Sequence, residues 1–141
     1  MALSPYVLKG AVKRAVGIFN SVTAGAITTT GINTRSTVTG ITASATQTLA
    51  GATALTAEIN IVATVAASGN AVKLPALQPG QSVDVYNAGA NPASVFPAAS
   101  GVAIDGGSAG AAVTLTNGKR ARFTCTAANT IVSAQFGVAS A

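Results

Sequence analysis

The chain of 141 residues has no histidine and no tryptophan, one cysteine, and only three carboxylates, Glu58, Asp84 and Asp105. Each shortage removes a class of chemistry. Without histidine there is no Ser–His or Cys–His nucleophile and no zinc set of the His/Cys type. Three acids far apart in sequence do not supply the close pair that general acid–base catalysis requires. Structural roles are expected for all three, and no enzyme activity. Cys125 cannot close an intramolecular disulfide alone, and its alternation with Ala121 and Phe123 reads as a small buried apolar residue. Asp105-Gly106-Gly107-Ser108 brings one carboxylate where calcium takes six to eight oxygens, so it reads as a turn. The glycines from Gly106 to Gly110 lack the Gly-Lys-Ser/Thr ending of a phosphate loop. No catalytic residue, cofactor or metal is expected.

Charge is scarce as well, at 8% of residues against about 25% in an ordinary soluble domain. Apolar residues reach 49%, which excludes general disorder. Polar groups interrupt every long apolar stretch, and Lys9, Lys13 and Arg14 break the apolar start. Neither a membrane-spanning helix nor a signal peptide is expected, and the reading is a soluble protein made in a cytoplasm. The net charge of +5 is unevenly placed. Lys9, Lys13, Arg14 and Arg35 precede the first acid, whereas Lys73, Lys119, Arg120 and Arg122 nearly balance the three acids. A basic beginning on an almost neutral body points to an arm that meets an acidic partner.

Residues 5–19 carry Leu8, Val12, Ala15, Val16 and Phe19 at helical spacing, with Lys9 and Lys13 alongside. Gly10 and Gly17 make an isolated helix marginal, so docking would have to stabilise it. Residues 20–47 are rich in Thr, Ser, Gly and Ala with spaced Ile and Val. This suits an extended arm that takes strand structure against a partner. Residues 1–47 are thus expected to be an arm, favoured as a docking element over a frayed terminus and over a membrane anchor. Its candidate contacts are Leu8, Lys9, Val12, Lys13, Arg14, Phe19 and Arg35.

From residue 48 to 141 short β-branched runs alternate with polar residues and turns. Ile59 to Val65, Ala71 to Leu74, Val83 to Asn87, Ser94 to Phe96, Val113 to Leu115, Arg120 to Cys125 and Ile131 to Phe136 read as strands. Turns fall at Ser68-Gly69-Asn70, Gln78-Pro79-Gly80-Gln81, Asp105-Gly106-Gly107 and, as a hairpin signal, Asn117-Gly118. The pattern predicts an all-β fold, an antiparallel β-sandwich or jelly roll behind an extended basic N-terminal arm. No internal repeat emerges. Gly118 to Arg122 is basic but lacks interleaved aromatics, so it reads as a solvated face and no nucleic-acid partner is expected.

The stretches GATALTAEIN (51–60), AVKLPALQPGQSVDVYNAGANPASVFPAASG (71–101) and AAVTLTNGKRARFTC (111–125) resemble a recurrent module of tailed-bacteriophage structural proteins. There an AVKLP strand precedes G-Q-S-V-x-V-x-N-x-G, V-F-P leads to a glycine-rich turn, and L-x-x-G-K precedes a strand with Phe. The resemblance covers roughly residues 41–136. Thr130-Ile131-Val132-Ser133 departs from the aromatic-rich final strand of that module, which counts against carbohydrate binding. The resemblance implies a virion component: a capsid decoration, or cement, protein that clamps the outer shell without covalent bonds. The alternative it implies is a head or tail fibre, receptor-binding component. The implied partners are the major capsid protein and further copies of the chain as a homotrimer or homodimer, with no nucleic acid and no membrane. The implied location is the capsid surface of the virion.

Overall fold

The computed structural model describes residues 34–137. Ten strands follow one another: β1 (Thr37–Thr42), β2 (Thr53–Ala54), β3 (Ile59–Thr64), β4 (Ala71–Lys73), β5 (Ser82–Asn87), β6 (Ala93–Phe96), β7 (Ala103–Ile104), β8 (Val113–Leu115), β9 (Lys119–Ala127) and β10 (Thr130–Gly137). They build two sheets, one ordered β1-β3-β5-β9-β10-β7 and the other β2-β4-β6-β8. Up to β9 the chain alternates between the sheets, and β1 to β4 each pair with the strand two places later. β1 lies parallel to β3 and β3 to β5, with Ile59 beside Asp84. In the second sheet β2 is parallel to β4 and β4 to β6, with Val72 beside Val95.

This is a β-solenoid of stacked coils, and it corrects the expected antiparallel jelly roll. Alternation of apolar and polar residues records that strands have one buried face, but parallel and antiparallel neighbours both satisfy it. The connections decide the matter. Each connection from β1 to β9 carries the chain around a corner into the opposite sheet, where a tight hairpin would have returned it beside itself. The coils span roughly 20–25 residues, within the range of repeat architectures. Antiparallel pairing enters at the last coil, where β9 joins β5, β10 joins β9 and β8 joins β6. The end of the stack is thereby closed, as terminal units of solenoids must be. Asn117-Gly118 also takes a different part from the expected hairpin. Gly118 has φ of 68°, but the turn passes the chain from β8 in one sheet to β9 in the other. The hairpin joins β9 to β10 through Ala128 and Asn129, and Asn129 holds φ of 61°.

The first coil lies partly in what the sequence suggests is arm. Residues 34–47 pair and pack with the rest: β1 runs along β3, Ala43 is buried, and Ser44 bridges Ala71. The compact β unit starts at Thr34, not at residue 48. Leu8, Lys9, Val12, Lys13, Arg14 and Phe19 lie outside the described residues.

Between the sheets sits one core, with Val62, Val72, Leu74, Val83, Val85, Val95, Ile104, Leu115, Phe123 and Ile131 buried in it. Valine dominates because each layer of a coil offers limited depth between two sheets, and β-branched side chains suit that pleated surface. Phe123 is the largest fully buried side chain. Cys125 is buried nearby and its thiol points to the Ala127 carbonyl at 3.2 Å. Corners need their backbone groups satisfied, and buried asparagines do this. The Asn60 carbonyl accepts from Ala57 N–H and its amide donates to Ala57 O. The Asn87 amide donates to Asn91 O and Leu115 O, both at 2.9 Å, while its carbonyl accepts from Gly89 N–H.

Candidate functional site

β5 sends Val83, Val85 and Asn87 inward, so Asp84 points to the outer face of the six-stranded sheet. β9 sends Ala121, Phe123 and Cys125 inward and Arg120 and Arg122 outward. Register places Asp84 beside Arg122 and Tyr86 beside Arg120. The chain entering β1 lays Arg35 over the same spot. The result is one carboxylate under three guanidiniums. Asp84 Oδ2 accepts from Arg35 at 2.6 Å, from Arg120 at 2.8 Å and from Arg122 at 3.2 Å, and Oδ1 accepts Arg122 Nε–H at 2.9 Å. The Arg122 contact is a two-pronged fork, the strong geometry of guanidinium and carboxylate.

The Asp84 side chain is 1% exposed, whereas Arg120 and Arg122 are 47% and 46% exposed. Burial pushes the Asp84 carboxyl upward. The hydrogen bonds from Arg122, Arg35 and Arg120, with the charge of Arg120, outweigh it and hold the group well below the usual carboxylate range. Asp84 in return raises Arg122 above its ordinary value, by hydrogen bond first and by charge second. Arg35 ties in a second acid: its Nε lies 3.6 Å from Glu58 Oε1, and Glu58 accepts from the backbone N–H of Ser36. An open groove of about 590 Å³ adjoins this cluster, with Arg35, Glu58, Pro75, Leu77, Gln81 and Arg122 among its walls.

Of the residues singled out in the sequence, Arg35 alone among the arm candidates falls within the described residues, and it works as a clamp on the body. Asp105 serves a turn, as expected: with φ of 53° it accepts from the backbone N–H and hydroxyl of Ser133. Among the described residues no three His, Cys, Asp or Glu side chains group in a way that could hold a metal ion. No helix among them is long and apolar enough to cross a membrane. The Asp84 cluster itself was not legible beforehand. Its arginines lie 36 to 49 residues from Asp84 on either side of it, and only strand register unites them. The one available signal was an acid flanked by Val83 and Val85, where a buried charge demands a partner.

The chemistry open to this arrangement is binding. An ionised carboxylate locked under three cations is a poor proton acceptor, and the guanidiniums cannot serve as acids at neutral pH. Comparison of the chain with protein-family models, with curated proteins and with solved structures finds no match.

Proposed function

We propose that the chain is a structural component of a phage virion, a decoration protein that binds the outer capsid surface and clamps neighbouring subunits. The observation that carries this reading is the division of charge. Lys9, Lys13 and Arg14, with no acid among them, precede the compact unit that begins at Thr34, whereas that longer unit sets Glu58, Asp84 and Asp105 against its five Lys and Arg. The β unit supplies a stiff body of stacked coils. The preceding residues supply basic and apolar contacts for a protein lattice, with orientation and on-rate coming from the charges and anchoring from Leu8, Val12 and Phe19. Copies assembled as a homotrimer or homodimer multiply weak attachments through effective concentration.

The resemblance of residues 41–136 to phage structural modules supports the same reading. The test replaces Lys9, Lys13 and Arg14 by glutamine in the full chain and measures sedimentation with capsids lacking the native protein. The reading expects the variant to stay folded and to attach weakly, with the defect of a wild-type chain mimicked by high salt. Unchanged attachment at every salt concentration would remove the basic segment from the mechanism. Binding of the chain to host cells instead of capsids would turn the reading to a fibre component.

A further inference from the structure

The outer face of the six-stranded sheet carries more positive charge than its own acids neutralise. Three guanidiniums converge on the single carboxylate of Asp84. Arg120 commits one N–H to it and Arg122 commits two, of the five donors each guanidinium owns. Both side chains are about half exposed. The cross-strand neighbours on β10 are apolar. Phe136 stands beside Arg120, Ala134 beside Arg122 and Val132 beside Thr124. Side chains directly opposite on one sheet face touch, so Phe136 and Tyr86 flank Arg120 from its two sides. Phe136 and Val132 are two of only three large hydrophobic side chains exposed among the described residues, at 53% and 47%. Arginine set among aromatic and aliphatic groups is the composition of a protein-binding hot spot.

We infer that this face, centred on Arg120, Arg122 and Phe136, binds an acidic protein segment in which carboxylates are interspersed with apolar side chains. Charge complementarity selects that occupant. A second copy of the chain does not fit, because its acids are engaged: Asp84 in the cluster, Glu58 on Ser36 and Arg35, Asp105 on Ser133. The fork already made by Arg122 on Asp84 shows the geometry in which an incoming carboxylate is held. Two free guanidinium edges meet two carboxylates, whereas a nucleic acid would require a longer track of cations along its phosphates. The surface is made by residues of the β unit, and the inference holds whether or not the partner is a capsid.

The test uses the full chain and a fluorescent peptide of alternating Glu and Leu, with the alternating Gln and Leu peptide as control. The expected result is saturable binding of the Glu peptide alone, weakened about fivefold by Arg120→Gln and by Phe136→Ala. Lys73→Gln removes the same charge from β4 of the opposite sheet and is expected to leave binding unchanged. Arg120→Gln leaves Arg35 and Arg122 on Asp84, so the fold is retained. Should it unfold, peptide-induced shifts of the Arg120 and Arg122 Nε–H signals in the wild-type chain decide instead. An equal loss with Lys73→Gln, meaning attraction by net charge alone, would overturn the inference. So would no binding, or tighter Arg120-dependent binding of oligothymidine or phosphatidylglycerol vesicles than of the peptide.

Discussion

Replacing Asp84 by asparagine keeps the side-chain volume and removes the one charge that three guanidiniums share. Deleting one partner of a buried ion pair costs about 3–5 kcal/mol. Arg120 and Arg122 are each about half exposed, so water recovers part of that loss, and about 2–3 kcal/mol is expected. Urea denaturation of the full chain at pH 7 reads it directly. The pH dependence supplies a second reading. The folded-state carboxyl is held below its usual range, while in the unfolded chain it titrates near its ordinary value of about 3.9. A lowered folded value means that the stabilisation is complete above about pH 5 and drains as the pH falls through 4 toward the folded value. The gap between wild type and Asp84→Asn is therefore expected to be about 1–2 kcal/mol smaller at pH 2.5 than at pH 7. A variant within about 0.5 kcal/mol of wild type, the range of an ordinary surface change, would refute the clamp. A gap of the same size at both pH values would show that packing, not charge, is lost.

Four further substitutions test the coil stack. Asn87→Ala removes bonds to Asn91 O, Leu115 O and Gly89 N–H inside a buried corner and should cost about 2–4 kcal/mol in the same assay. A Cβ added at Gly89 would come within 2.6 Å of the Val65 backbone nitrogen, so Gly89→Ala should cost about 1–3 kcal/mol by overpacking. Gly80→Ala, with open space around it but φ of 89°, should cost less, about 1 kcal/mol. Phe123→Ala empties the largest fully buried position and should cost about 3–5 kcal/mol, measured by thermal unfolding.

Local chemistry was well inscribed in the sequence. The run at Ile59 became β3, the alternation at Val83 and Val85 became β5, and Pro79-Gly80 makes its turn with Gln81 N–H on Gln78 O at 2.9 Å. Cys125 is a buried small residue, as its alternation with Ala121 and Phe123 suggests. Topology was not inscribed in the same way. The repeat is carried by position more than by identity: Ala71-Val72-Lys73 of β4 sits on Ser94-Val95-Phe96 of the next coil, and only the valine is shared. Asn60 faces Val85, and Val62 faces Asn87, so even the buried polar residues change rung. Coils held together by backbone ladders tolerate such drift, and self-similarity in the letters fades. The Asp84 cluster depends on that topology. Without knowing that β5 runs between β3 and β9, nothing in the sequence brings Arg35, Arg120 and Arg122 to one carboxylate. The basic character of Arg120 and Arg122 was visible, as was their outward alternation, but Phe136 as the neighbour of Arg120 required the β9–β10 register.

The most direct test of the proposed role is the number of copies of this chain per purified phage particle, measured against the major shell protein by quantitative mass spectrometry. A decoration protein spread over the lattice predicts a copy number on the scale of the shell protein. A handful of copies, or none, would contradict it.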